Sequence, residues 1–364
     1  MERKIRIGVL LPSLRGGGAE RVIVNIVNHI NKSKFDVYLI VFNKVGPYIN
    51  EVNPKVKVID LESERIRKGF LKLWTVLKEL KLDIVFSTMN HVNLALLLIS
   101  KFPLMKFKTV IREANTPSKS LTKHSWIKGK IELLLGRLLY PTSAMLISQC
   151  DEMKEDILHV YKMNGKKVVT IYNPLDIKNI KNRIGRKSPY QSEKRNVIAI
   201  GRLTYQKGFD VLLEAFSGVV KIVPNAYLTI LGEGELKEDL KDQIKKLNLT
   251  DHVDLKGFQP NPYTYLYHSD IFVLSSRWEG FPNTVLEALA CNVKVVSTDC
   301  KSGPKEILGD NKYGYLVKSE DSKSLEQGIL MALNERTIRS DRAYDFDVDK
   351  IVSQYEHIFM KVLK

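Results

Sequence analysis

Cysteine is scarce and unpaired in this sequence. Three occur in 364 residues, Cys150, Cys291 and Cys300, with no C-x-x-C among them. That argues against a disulfide framework or a cysteine-held zinc site and suits a reducing compartment. Long apolar runs are missing too. The longest, near Leu94 to Ile99, falls far short of the ~20 residues that span a bilayer. The opening MERKIRIGVLLP sets basic residues before apolar ones, as a secretory leader does. Its apolar run is short, meets Pro12 and Arg15, and has no small-residue cleavage site, so it reads as a first strand. There are no repeats, no low-complexity tract and no G-x-G-x-x-G fingerprint.

Acidic residues are also short, but only in one half. Residues 1–185 hold 32 Lys and Arg against 16 Asp and Glu, whereas residues 186–364 hold 25 of each. An excess confined to one half points to an anionic partner there: membrane lipid, a diphosphate or nucleic acid. A generally basic proteome would not explain the asymmetry.

What is present is alternation. Strand-like runs at 5–11, 37–42, 56–61, 84–87, 109–112, 145–148 and 168–171 are separated by helical patterns. Residues 177–194 are polar and aperiodic and read as a linker. Alternation restarts at 196–200 and continues through strands at 227–231, 253–255, 271–274 and 293–297. The pattern predicts an α/β protein of two Rossmann-like domains with parallel sheets, joined by a linker and facing a cleft. A closing helix over 348–363 carries Ile351, Val352, Tyr355, Ile358, Phe359 and Val362 at helical spacing.

Three junctions carry chemistry. Gly16-Gly17-Gly18 follows the first strand and opens a helix; it is either a flexible turn or a close backbone approach to a ligand. Gly201 to Gly208, GRLTYQKG, follows a strand and brackets its loop with Arg202 and Lys207. Such a pair is either a solvated basic loop or a diphosphate grip, Arg supplying a planar fork and Lys a point charge. Glu279 to Glu287, EGFPNTVLE, joins a strand to a buried helix, with Asn283 the expected N-cap. A carboxylate inside a buried helix is rarely idle, and Glu287 suits the paired hydroxyls of a ribose. Asp345-Phe346-Asp347 reads as a helix-start charge cluster rather than a metal pair.

Together GGGAER at 16–21, NPLD at 173–176, GRLTYQKG at 201–208, KGF at 256–258 and SRWEGFPNTVLEALA at 276–290 resemble the retaining nucleotide-sugar glycosyltransferases of the GT-B fold. The last stretch carries the family's E-x7-E element as Glu279 and Glu287. The resemblance covers nearly the whole chain. It implies an acceptor-binding domain at 1–176, completed by a returning helix at 347–364, and a nucleotide-sugar domain at 190–346. It implies catalytic roles for Arg202, Lys207 and Glu279. Donor contacts would come from Gly17, Gly201, Phe258, Gly280, Phe281, Asn283, Thr284 and Glu287. Gly18 would border the acceptor. No metal and no cofactor are implied, the nucleotide sugar being a co-substrate.

One departure stands out. Many relatives carry a His after the fifth strand of the first domain; here the stretch is Arg112-Glu113-Ala114-Asn115. Glu113, as a base or a charge stabiliser, or Asn115, at the acceptor, would take its place; alternatively Glu113 is a loop carboxylate paired with Arg112. His91 is either an acceptor contact or a helix-capping group. Two basic stretches, 67–81 and 122–140, mix Phe70, Trp74 and Leu77, or Trp126, Ile127, Ile131 and Leu134, with lysines. They are either core helices with a solvated face or helices that lie on an anionic membrane. The charge asymmetry favours the membrane, and with it a cytoplasmic enzyme peripheral on the inner face of the cell membrane. The activity the resemblance implies is transfer of a hexose or N-acetylhexosamine, UDP-linked by the likeness of EGFPNTVLEALA to the family's form, to a polyprenyl-diphosphate-linked saccharide in surface polysaccharide (lipopolysaccharide or capsule) assembly. The rival readings are an epimerase or phosphorylase of the same fold, or a basic nucleic-acid-binding protein.

Overall fold

The computed structural model describes residues 3–121, 126–335 and 340–364. The chain divides into two compact units, one of residues 1–174 with 348–364 and one of residues 175–347.

The first unit is built on a seven-stranded sheet, every paired strand parallel to its neighbour. Its strands are β1 (Ile5–Leu11), β2 (Phe35–Val41), β3 (Lys57–Asp60), β4 (Ile84–Thr88), β5 (Lys108–Arg112), β6 (Met145–Ser148) and β7 (Val168–Thr170). They lie in the order β3-β2-β1-β4-β5-β6-β7. Helices between successive strands cover the sheet, so the central strands are buried on both faces and run apolar without alternation. The helix Val348–Lys361 completes this core. Its Ile351, Val352, Tyr355, Ile358 and Phe359 are buried, and Phe359 and Tyr355 meet Phe86 edge-on at 5.5 and 5.8 Å. Five side chains of this size contribute on the order of 10 kcal/mol of gross burial energy.

The second unit repeats the plan with β8 (Arg195–Ile200), β9 (Ala226–Leu231), β10 (Val253–Gly257), β11 (Ile271–Leu274), β12 (Lys294–Thr298) and β13 (Tyr315–Val317), in the order β10-β9-β8-β11-β12-β13. Residues 177–194, expected to be a linker, belong to this unit. They begin with a helix, Ile177–Asn182, whose Asp176 side chain accepts from the amide of Asn179 at 2.9 Å. Ile177 and Ile180 are its buried face, too short an apolar pattern to register by periodicity. Asp345 lies in a 3-10 turn, Asp341–Phe346, and Asp347 follows it, just before the terminal helix. Among the described residues no helix is long and apolar enough to cross a membrane.

Candidate active site

In the second unit the strand order reverses between β8 and β11, and ligand crevices of parallel sheets form beyond the carboxyl ends of strands at such a point. The chain leaving β8 forms Gly201–Gly208. The chain leaving β11 forms Ser275–Pro282. Two glycines fit these loops together. Gly208 has φ +61°, and a Cβ there would overlap the carbonyl oxygen of Ser275. Gly201 lies under the Lys207 stem, whose Cδ and Cε would be 3.2 Å from a Cβ.

Lys207 Nζ donates to Glu279 Oε1 at 2.6 Å, and Ser276 Oγ donates to the same oxygen at 2.6 Å. Both side chains of the ion pair are largely buried. The Glu279 backbone is fixed on both sides: its amide donates to the Lys301 carbonyl at 2.7 Å, and its carbonyl accepts from the Ser302 amide at 3.1 Å. Arg277 ties the two loops together. It bonds both Asp210 carboxylate oxygens at 2.9 and 2.6 Å, Glu320 at 3.0 Å and the Tyr205 carbonyl at 2.7 Å, and stacks 3.9 Å from the Tyr205 ring centroid. Burial pushes the Asp210 carboxyl up, but its bonds to Arg277 outweigh this and hold it below the usual range. The bond to Asp210 in turn lifts Arg277 above its ordinary value. Sequence reasoning reached Lys207 and Glu279 but missed Arg277 and Asp210, which are 67 residues apart with no local pattern to link them, and Ser276, whose bond to Glu279 three residues on is local but has no recognisable signature.

Arg202 is exposed, and among the described residues it forms no ion pair. Phe258 is an exposed ring directly after β10, following Gly257 at φ +70°. Gly280 and Phe281 are buried, and Ser302 Oγ donates to the Gly280 carbonyl at 3.0 Å. The helix Asn283–Ala290 starts one residue earlier than expected: Pro282 is the N-cap and Asn283 the first helical residue. Proline's fixed φ and missing N–H suit an entry position. Thr284 Oγ1 is buried with no hydrogen-bond partner among the described residues. Glu287 lies one turn inside the helix and is half-buried. Burial, reinforced by the Glu287 charge, pushes the Cys291 thiol up to about 12.

In the first unit the order reverses between β1 and β4. After β1, Gly16 takes φ +104°, and Gly17 and Gly18 open the helix Gly18–His29. The helix's own Glu20 accepts from the Gly17 amide and from Ser13 Oγ, the latter at 3.0 Å. This carboxylate, half of a capping box, is legible in GGGAE three residues after Gly17. His91 is exposed at the second position of the helix Asn90–Ile99, after β4. Asn115 is exposed on the loop after β5.

Glu113 stands apart. It is buried, accepts a short hydrogen bond from Tyr140 Oη, and its carbonyl accepts from Gln149 Nε2 at 2.7 Å. Burial pushes its carboxyl up to about 7, against the pull of the Tyr140 and Asn93 bonds. Asn93 joins the cluster by donating to the Arg112 carbonyl at 3.0 Å and accepting from Ser87 Oγ at 2.7 Å. The Arg112 side chain is fully buried but turns elsewhere, bonding Thr88 Oγ1 at 3.1 Å and Asn173 Oδ1. The ion pair weighed between Arg112 and Glu113 is therefore not formed. Among the described residues no group of three His, Cys, Asp or Glu side chains gathers as a metal cage would.

Comparison with known proteins adds independent findings. Residues 180–345 match the family described as glycosyl transferases group 1, and residues 16–179 match glycosyltransferase family 4. The chain is 33% identical to the N-acetylgalactosamine-N,N'-diacetylbacillosaminyl-diphospho-undecaprenol 4-alpha-N-acetylgalactosaminyltransferase of Campylobacter jejuni, over 95% of this chain and 97% of that protein. It is 32% identical to an uncharacterised glycosyltransferase of Methanocaldococcus jannaschii, over 80% of this chain and 82% of that protein. Among solved structures, Anabaena HepE in complex with UDP and glucose superposes with a TM-score of 0.80 at 18% identity, covering 98% of this chain and 100% of that one. Sucrose-phosphate synthase from Thermosynechococcus elongatus gives a TM-score of 0.82 at 15% identity, covering 99% of each. These matches disfavour the epimerase, phosphorylase and nucleic-acid readings.

Proposed function

Since the chain belongs to the glycosyltransferases of the GT-B fold, we propose that it moves a hexose or N-acetylhexosamine from a UDP-sugar to a polyprenyl-diphosphate-linked saccharide, with retention at the anomeric carbon and without a metal ion. The observation that carries this reading is the Lys207–Glu279 pair at the reversal between β8 and β11, with exposed Arg202 on the same loop as Lys207. As the bond from the anomeric carbon to the diphosphate breaks, its electrons pass to a phosphate oxygen. Preorganised cations lower that barrier, and Arg202 and Lys207 supply two. With the diphosphate's charge met in this way, Glu287 holds the ribose hydroxyls and Phe258 borders the base. Glu279 then faces the sugar side, with Gly201, Gly280, Phe281, Asn283 and Thr284 lining the donor and Gly17 at its phosphates. On the first unit, exposed Asn115 and His91 and the Gly18 turn serve the acceptor. Glu113, enclosed with Tyr140, shapes the loop that carries Asn115.

The acceptor class rests on relatives: the Campylobacter enzyme's name specifies a diphospho-undecaprenol-linked acceptor, and the amylovoran biosynthesis glycosyltransferase of Erwinia amylovora, 26% identical over 90% of this chain, is named for a polysaccharide. An acceptor of that kind and a basic first unit suit a peripheral position on the inner face of the cell membrane. The test is a panel of UDP- and GDP-sugars with nucleotide release as readout. Release of UDP that Glu287→Ala abolishes and a chelator leaves unchanged supports the reading. Failure to turn over or bind any nucleotide sugar overturns it. The anomeric configuration of the product, read by NMR, decides retention.

A further inference from the structure

The helix Trp126–Leu139 of the first unit turns apolar side chains to solvent. Ile127, Ile131, Leu134 and Leu138 are 64, 53, 58 and 62% exposed. Their spacing of four, three and four residues places them on one narrow stripe of a helix. The stripe cannot be a core face that happens to be turned outward, because the opposite face is already seated. Gly136 lies against Tyr161, where a Cβ would overlap the ring, and Leu139 is buried. Arg137 Nε, at the edge of the stripe, donates to the Val160 carbonyl at 2.9 Å and pins the helix in this rotation.

The second basic helix, Ile66–Leu80, is built the other way. Its Gly69, Leu73 and Leu77 are buried, so its apolar stripe is used in the core. The membrane reading of the sequence therefore divides: one basic helix packs inward, and the other presents an apolar ridge. Within the stretch 122–140, the part before Trp126 lies outside the described residues.

We propose that this ridge inserts into an anionic bilayer, with Ile127, Ile131, Leu134 and Leu138 at the acyl boundary and the helix lying flat in the interface. The proposal rests on the membrane reading of the first unit and assigns that contact to one surface. Charge decides the occupant. At 100° per residue, Lys128 projects on one side of the stripe and Lys130 and Arg137 on the other, where cations meet headgroups. The helix's one acid, Glu132, lies off the ridge and is half-buried. The first unit as a whole carries 32 Lys and Arg against 17 Asp and Glu. A second copy of so basic a surface would repel the first, whereas an anionic leaflet attracts it.

The test uses the full chain with an environment-sensitive fluorophore on Leu134→Cys; the native cysteines are buried and stay unlabelled. Vesicles containing phosphatidylglycerol should shift its emission to the blue, and a label on Thr75→Cys, exposed on the helix Ile66–Leu80, should not move. An Ile131→Ser/Leu134→Ser variant should lose about tenfold in vesicle affinity per side chain, with its unfolding midpoint unchanged. If the wild-type chain does not float with anionic vesicles, the membrane reading and the ridge both fall. If it floats and the double variant floats equally, the ridge alone falls. A blue shift that appears without lipid, as a concentration-dependent dimer forms, assigns the ridge to a second copy and overturns the proposal.

Discussion

Glu113 is a carboxyl whose surroundings oppose its charge. Burial lifts it to about 7, so between the ordinary carboxylate range and neutrality the folded chain keeps a proton that the unfolded chain releases. The folded state then binds more protons, and stability falls as pH rises from about 4.5 to about 7, levelling above that. Glu113→Gln should keep the Tyr140 contact and remove this slope. Its stability relative to the wild type should rise by up to about 3 kcal/mol between pH 5 and pH 8, as measured by denaturant unfolding. A parallel offset at both pH values would mean the carboxyl does not titrate in this window. Arg202 sits at the other extreme, exposed and without an ion pair among the described residues. Arg202→Ala should lower nucleotide release about 100- to 1000-fold while leaving the melting temperature within a degree or so. Equal losses of both would mark a structural loop instead.

At the scale of elements, the site is two loops held in register. Gly208 and Ser275 touch backbone to backbone, and Arg277 bolts the loop after β8 to the loop after β11 through Asp210 and Tyr205. Gly208→Ala meets both a left-handed φ and an occupied carbonyl. It should destabilise the second unit by about 1–3 kcal/mol and abolish turnover, measured by thermal unfolding and nucleotide release. Arg277→Lys keeps the charge but loses the planar fork, so turnover should fall more than nucleotide affinity does, as a kcat effect in steady-state kinetics. The junctions themselves were legible, because a strand, a glycine turn and an amphipathic helix leave patterns of different period. Lys207 and Glu279 were legible as residues of a site but not as partners, since an ion pair across 72 residues has no local signature. The cap was misplaced by one residue because Pro282 and Asn283 both favour helix starts. Glu113 read as a base, a charge stabiliser or a loop carboxylate paired with Arg112, and its enclosure was not legible because it comes from Tyr140 and Gln149, on other elements.

At the scale of the molecule, the two units have separate cores and should melt separately. UDP at about 100 times its Kd should raise the stability of the second unit by about 2.7 kcal/mol and leave the first unchanged. With Trp74 and Trp126 replaced by Phe, the remaining Trp278 fluorescence follows the second unit in a thermal scan. Movement of both transitions together would mean the units unfold as one. The alternation of strands and helices was within reach of sequence, but the strand order, 3-2-1-4 from one edge of each sheet, was not, because it follows from long-range pairing.

The helix Val348–Lys361 has a consequence for synthesis. The first unit's core takes in Tyr355, Ile358 and Phe359, which the ribosome delivers only after the whole second unit has emerged. Domains ordinarily fold in the order they are made. Here the sheet of residues 3–174 must wait with Phe86 and Phe35 uncovered, while residues 175–347 have all they need to fold first. A chain ended at residue 347 and released from the ribosome should therefore show a protease-resistant second unit and a cleavable first one, so that the part made first is finished last.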